Sequence, residues 1–332
     1  METGRQAGAK EHKYRRVEAI MADYVFGVDV GGTTVKMGLF DISGKLLDKW
    51  EIPTRTENAG EAILPDIAAS VEGKCKEKGI EKLAVAGIGI GVPGPVDSKG
   101  IVHKCANLGW GEFNVNEALS KLTGLKVKTG NDANVAALGE MWLGGGKGYD
   151  SIVMVTLGTG VGGGIILDGQ ILTGSMGSGG EIGHIHVQDG ETEKCGCGNY
   201  GCLEEYASAT GIVRLANREI AASEGEATVL KAGECSAKDV WDAVKAGDAL
   251  AIRVAEKFGE YLGKGLAVIA AVVDPEAFVI GGGVSKAGDV LLPYIEKNYQ
   301  PVAFHACRNV KFVLATLGND AGIYGSAKLV LS

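Results

Sequence analysis

Four metal-binding side chains fall close together, His184, Cys195, Cys197 and Cys202, at the spacing H-x10-C-x-C-x4-C. Three thiols and an imidazole suit a tetrahedral zinc site, and because all four positions are filled the expected role is structural. His186 sits two residues beyond His184, and spacing alone does not choose between them. Glu181 and Glu204 bracket the same stretch, so a metal there would hold further polar groups at fixed angles.

Two glycine–hydroxyl turns could take phosphate. Asp29-Val-Gly31-Gly32-Thr33-Thr34 and Thr156-Leu-Gly-Thr159-Gly160 each separate two apolar runs, the pattern of a hairpin turn whose backbone N–H groups form an anion nest. Asp29 is placed to hold Mg2+ directly or through water. Gly281-Gly282-Gly283 follows an apolar strand and offers a third close approach. The pattern G-x-G-x-x-G occurs at Gly89-Gly91-Gly94 and at Gly158-Gly160-Gly163. The first runs into prolines and the second into a strand, so neither sets a helix N-terminus on a pyrophosphate, and no P-loop is present. Asp132 follows Asn131 at the start of an expected helix. An aspartate there can cap the helix, or serve as a general base that the helix dipole keeps ionised.

The elements that position these groups are legible in the hydrophobic pattern. Tyr24–Val30, Val35–Phe40 and Leu46–Ile52 read as strands, and Ala62, Ile63, Ile67, Val71 and Cys75 recur at helical spacing, predicting a helix over 60–78. Leu83–Ile90 reads as a buried strand ending at Gly91-Val-Pro-Gly94-Pro, and Val127–Thr129 as a strand before a helix at 133–143. Ile152–Thr156 and Gly164–Leu167 repeat the first hairpin, Phe26–Thr34 aligning with Val153–Val161. Such a repeat predicts two similar lobes facing each other. Strands at Ala277–Ile280 and Val310–Leu314 and a last helix at 320–331 close an otherwise helical second half.

The chain has 332 residues, 45% of them hydrophobic, enough for a large core in two domains, and a net charge of -8. An acidic balance argues against nucleic acid as the main partner. No apolar run approaches the roughly 18 residues that span a bilayer, and residues 1–22 lack the apolar core of a secretory signal. They read as an extension or leader, with Met21 as a start. Of the seven cysteines, Cys75, Cys105, Cys235 and Cys307 are scattered without a pairing pattern, as expected in a reducing cytosol.

From Tyr24 to the C-terminus the chain resembles the ROK sugar kinases, most closely the bacterial ATP-dependent glucokinases. The likeness rests on Asp29-Val-Gly-Gly-Thr-Thr-Val-Lys, Gly91-Val-Pro-Gly-Pro, Gly130-Asn-Asp-Ala-Asn134, Leu157 to Gly164, Gly179 to His184, the cysteine cluster and Ile280-Gly-Gly-Gly-Val284. It implies an α/β, actin-like (ribonuclease-H-like) fold of two lobes with the active site in the cleft between them. The small lobe would be 24–130 with a helix at 319–332 packed back on it, the large lobe 131–318, and 1–23 a disordered extension. It implies that ATP, with Mg2+, phosphorylates the 6-hydroxyl of glucose. Asp132 would be the base, and Gly94, Asn107, Asn131, Glu181, His184 and Glu204 the sugar contacts. Asp29, Gly31, Gly32, Thr33, Thr34, Thr159 and Gly160 would face the phosphates, and Gly282 and Gly283 the adenosine. His184, rather than His186, would join the three cysteines on Zn2+. Mannose, fructose, N-acetylglucosamine and N-acetylmannosamine are the alternative acceptors, polyphosphate the alternative donor, and a silent sugar sensor the non-enzymatic alternative. A homodimer or homotetramer in the cytoplasm is expected. Repressors of the same family carry a DNA-binding module, for which the 23 residues before the first strand are too few.

Overall fold

The computed structural model describes residues 22–223 and 225–332, so the N-terminal extension expected over 1–23 lies outside the described residues up to position 21. Apolar strands pair into two five-stranded sheets. The first contains β1 (Tyr24–Val30), β2 (Thr34–Asp41), β3 (Leu46–Pro53), β4 (Val85–Val92) and β7 (Val127–Asn131), in the order β3-β2-β1-β4-β7. Two hairpins make β1, β2 and β3 antiparallel, whereas β4 and β7 run parallel to β1. Parallel neighbours require long crossovers. These are a distorted turn α1 (Glu57–Gly60) with α2 (Ile63–Lys78), then the small hairpin β5 (Ile101–Val102) and β6 (Phe113–Asn114) with α3 (Val115–Thr123). The helix expected from residue 60 starts at Ile63 because Asn58 and Ala59 adopt positive φ.

The second sheet has the same design. It comprises β8 (Ile152–Leu157), β9 (Val161–Leu167), β10 (Gln170–Ile171), β11 (Ala277–Gly281) and β12 (Lys311–Leu314), in the order β10-β9-β8-β11-β12. Again the hairpin side is antiparallel and the other side parallel. Asp29 pairs with Gly91 of β4, and its counterpart Thr156 pairs with Gly281 of β11. The weak sequence repeat is therefore a repeat of topology. Between β10 and β11 run an irregular cysteine-rich loop, the single turn α5 (Glu204–Ala207), α6 (Ala209–Ala222), α7 (Ala237–Lys245) and α8 (Ala249–Val273); α9 (Leu291–Tyr299) leads to β12.

Each lobe has its own core. Val28, Met37, Ile67, Ile88 and Leu119 fill one, and Trp241, Phe258, Leu262, Ile280 and Tyr299 the other. A fully buried aliphatic or aromatic side chain contributes about 1.5–3 kcal/mol relative to exposure. Two helices join the lobes, α4 (Asp132–Leu143) and α10 (Ala321–Leu331), and α10 lies on the first sheet with the Ser326 hydroxyl donating to Val28 O at 2.8 Å. They cross where Gly139 and Gly325 meet: a Cβ at 325 would lie 1.5 Å from Val135 O, so only glycine permits the approach. Among the described residues no helix is long and apolar enough to cross a membrane.

Candidate functional site

In open α/β sheets ligands bind beyond the carboxyl ends of the parallel strands. Here β1 and β8 end in the two glycine–hydroxyl turns, β7 in Asn131 and β11 in Gly281. A cavity of about 690 Å3 lies between these ends, lined by Asp29, Asp132, Thr156, Gly282, Gly283 and Lys36 among others. The turn at Gly31 is closed by Gly31 N donating to Thr34 O at 3.0 Å, and that at Gly158 by its N–H donating to Gly160 O at 3.0 Å. Gly282 takes φ +85 and presses on the backbone of Leu157, which brings the end of β11 against the second turn.

The end of β7 separates two adjacent residues. Asn131 caps α4, its Oδ1 accepting from Ala133 N at 3.0 Å and Asn134 N at 3.2 Å. The N-cap position weighed for Asp132 therefore belongs to its neighbour; Asp132, the first helical residue, accepts from Ala133 N at 2.8 Å and presents its carboxyl at the cavity wall. Asn131 Nδ2 donates to Gly94 O at 3.1 Å, fixing the Gly91–Pro95 turn beside the base. Burial between the lobes pushes Asp132 above the ordinary aspartate range, although its side chain keeps a path to solvent through the cleft; Ala133 N and Asn131 pull it down, and the charge of Glu181 adds to the rise. Burial likewise pushes Asp29 up to about 6, with Lys36 opposing and Asp132 reinforcing. Asp29 and Asp132 thus form a repelling acidic pair at the cavity wall, with the charge of Glu181 acting on Asp132 from outside the lining.

The cysteine-rich loop gathers the three thiols with His184, the histidine that the family resemblance implied. One donor atom from each of His184, Cys195, Cys197 and Cys202 lies within 4.8 Å of all the others. Cys197 and Cys202 sulfurs are 3.7 Å apart, and Cys195 Sγ is 3.8 Å from His184 Nδ1. Tetrahedral coordination at a Zn–S distance of about 2.3 Å sets sulfurs ~3.8 Å apart, so the donors fit zinc and are too far apart for a disulfide. Burial and the neighbouring thiols push Cys202 up to about 12, a cost that a bound cation reverses by deprotonating its ligands. His186 is committed elsewhere, with Nδ1 on Tyr200 O and Nε2 on Asp189, both at 2.9 Å. His184 ends the 3-10 turn Ile182–His184, and His186 lies beyond it. Glu191 anchors the loop: against the upward push of burial, the Tyr206 hydroxyl, Glu193 N and Arg218 hold it at about 2.

The other expected residues distribute unevenly. Glu204 reaches from the loop to the second turn, its Oε2 accepting from Val161 N at 3.0 Å and its Oε1 lying 3.8 Å from Cys195 Sγ. Thr159 is exposed at the tip, where its carbonyl accepts from the Thr210 hydroxyl at 2.7 Å, and Gly160 packs on Glu204. Gly31, Gly32 and Thr33 are exposed at the other tip and Thr34 half-buried; none of the four lines the cavity. Asn107 is exposed on the turn Ala106–Leu108, next to Cys105, whose thiol is raised by burial and then by the charge of Asp132.

Three charged lining residues were given no role by the sequence. Lys36 and Lys286 reach the cavity from opposite lobes, and Glu140 lines it although fully buried. Glu140 accepts from Gly145 N, Thr316 N and Leu317 N at 2.8–3.0 Å, so it ties the end of α4 to the segment that leads into α10. A continuous second pocket of about 370 Å3 shares Gly283 and Lys286 and is lined by Trp241, Ala237, Val284 and Ala287. Trp241 Nε1 is buried there without a hydrogen-bond partner among the described residues.

The ROK family model matches residues 25–332. A glucokinase of Halalkalibacterium halodurans is 44% identical over 92% of this chain and 94% of its own. A ROK family glucokinase from Streptomyces griseus, in complex with glucose and AMPPNP, superposes with a TM-score of 0.68 at 34% identity, covering 92% of this chain and 98% of its own. A ROK hexokinase from Thermus thermophilus gives a TM-score of 0.75 at 33% identity over 92% and 97%.

Proposed function

We propose a function from one premise: this chain belongs to the ROK family. It is a hexokinase-type sugar kinase that phosphorylates glucose with ATP, in an actin-like two-lobe fold. The observation that carries the residue assignment is the Asp132 carboxyl at the cavity wall beside Asp29, while Asn131 rather than Asp132 is the N-cap of α4.

Phosphoryl transfer is mainly positioning and charge stabilisation. Asp132 orients the 6-hydroxyl and takes its proton as the oxygen attacks the γ-phosphorus. The bond from that phosphorus to the bridging oxygen breaks, and ADP leaves. Gly94, Asn107 and the Glu181–His184 turn face the remaining hydroxyls, with Asn131 and Glu204 bracing them through the backbone contacts described above. The turns Gly31–Thr34 and Thr159–Gly160 cover the phosphates when the lobes close, and Gly282 and Gly283 lie along the nucleotide towards the Trp241 pocket. The Asp29 carboxyl faces the cavity and suits Mg2+, held directly or through water, which would neutralise phosphate charge. Zn2+ on His184, Cys195, Cys197 and Cys202 would be structural: Cys197→Ser should lower both metal content and Tm.

A homo-oligomer in the cytoplasm belongs to the same reading. The test is ADP release from Mg-ATP with glucose, mannose, fructose and the two N-acetylhexosamines. Glucose should give by far the highest kcat/KM; preference for an N-acetylhexosamine would overturn the choice of acceptor.

A further inference from the structure

A second polar cavity lies apart from the catalytic groups assigned above. It encloses about 430 Å3, and both β7 and β10, the edge strands of the two sheets, contribute to its wall. Asp29, Asp132, Glu181, His184 and Glu204 are all outside its lining. An edge strand carries N–H and C=O groups that no neighbouring strand pairs, so the backbone of β7 itself offers hydrogen bonds here.

The chemistry of this cavity changes along β7. Lys126 immediately precedes the strand and Lys128 lies in it, so the two side chains leave the same face. Burial and the charge of Lys126 push Lys128 below the ordinary lysine range. Lys128 Nζ donates to Ser332 O at 2.8 Å, whereas Lys126 Nζ donates to the neutral carbonyl of Val330 at 2.9 Å. An ammonium has three donors, so Lys126 keeps both its charge and spare N–H groups for a ligand. Asp97 is the acidic side chain of the lining, and its Oδ1 is taken by Lys99 N and Ile101 N, both at 2.9 Å. Further along, the wall is made of hydroxyls and amides, among them Thr129, Asn134, Gln170 and Thr173. Asn134 is 3% exposed, and its Oδ1 is buried without a hydrogen-bond partner among the described residues. Such an acceptor is costly to leave unpaired, and a ligand hydroxyl would satisfy it.

A cationic end and a neutral hydrogen-bonding end select a ligand with an anion at one end and hydroxyls at the other. From Lys128 to Asn131 the strand advances roughly 10 Å, about the length of a hexose that carries a phosphate. We propose that this cavity is a second binding site, for a small sugar monophosphate, with the phosphate at Lys126 and the hydroxyls towards Asn134 and Thr173. Its link to activity rests on the sugar-kinase reading, because the product of that reaction is such a molecule. Asn131 belongs to the same wall, and it both caps α4 beside Asp132 and holds Gly94 O. An occupant therefore acts on the sugar contacts from behind, and its inhibition is non-competitive with glucose, whereas product in the active site competes.

The test is calorimetric titration of glucose 6-phosphate and of inorganic phosphate into wild type, Lys126→Met and Thr173→Val, each saturated with glucose so that the sugar site is filled. Initial rates with and without glucose 6-phosphate accompany it. Wild type should bind one equivalent of the sugar phosphate, and inorganic phosphate more weakly. Lys126→Met should weaken glucose 6-phosphate by roughly 10- to 100-fold, the loss of one charge-assisted contact, and Thr173→Val by about three- to tenfold. Both variants should keep the wild-type kcat and KM when no sugar phosphate is added, which also shows that they fold, and both should lose the non-competitive inhibition. No binding by glucose-saturated wild type, equal affinity in wild type and both variants, or inhibition that is purely competitive with glucose would overturn the site. Inorganic phosphate binding as tightly as the sugar phosphate would overturn the ligand class. Should wild type phosphorylate no hexose while the variants still lose glucose 6-phosphate, the kinase reading falls and the second site stands.

Discussion

The two sheets share a strand order but end their first strands in different chemistry. In the small lobe β1 carries Asp29 as its next-to-last residue, faced across the hairpin by Lys36. In the large lobe the equivalent residue is Thr156, opposite Gly162. One copy of the repeat supplies charge, and the other supplies backbone N–H groups, a hydroxyl and glycines that a ligand can approach closely. Topology was thus used twice as a scaffold and once for charge. The difference teaches that a repeated fold need not repeat its function: the polarity lies in a few side chains at the strand ends.

The largest effect is expected at Asp132, where the two lobes meet. Asp132→Asn should keep the α4 cap, which Asn131 provides, and bind glucose normally, but lose on the order of 10²–10⁴ in kcat. A kcat within about tenfold of wild type would return Asp132 to a structural role.

The charged copy should also titrate. Asp29 rises from 3.8 to about 6 through burial. Below that value it is protonated and a weaker cation ligand, so kcat/KM for Mg-ATP should fall by roughly tenfold per pH unit on the acid side. A carboxyl raised in the fold contributes its stability below its unfolded pKa and loses it as pH rises through the folded one. Asp29→Asn should therefore raise the Tm of the ligand-free protein at pH 7 and leave it unchanged near pH 4. An equal change at both values would show that the charge is not the cause.

Between the lobes, Gly325→Ala should lower stability by about 1–3 kcal/mol, because its Cβ would lie 1.5 Å from Val135 O and force α4 and α10 apart. Urea unfolding measures this. Smallest of all should be Thr156→Val, which alters the neutral copy by one hydroxyl: KM for ATP rising about threefold, with kcat held, is expected for loss of one uncharged hydrogen bond.

Much of the fold was legible because strand and helix periodicities are local. The hairpin turns, the buried strands and the donors Cys195, Cys197 and Cys202 could all be found by spacing, which left His184 and His186 both open as the fourth. The split between Asn131 and Asp132 could not, since both types cap helices equally well and only the dihedral angles of the chain decide where α4 begins. Glu140 was hidden for another reason. A single carboxylate in a helix is ordinarily solvated, but α4 is enclosed by both lobes, and the backbone N–H groups that satisfy Glu140 come partly from a segment 176 residues away.

The strand and turn pattern, the paired hairpins, the metal-binding loop and the carboxylates available for catalysis are encoded by residue type and near-neighbour spacing. Which of those groups meet depends on how the chain packs. Lys36 and Asn319, 283 residues apart, touch at one edge of the cavity; Lys286 enters from the other lobe, and α10 returns from the end of the chain to cross α4 glycine to glycine. An isolated lysine carries no periodic signal, and its partner is set by how two separately cored lobes pack.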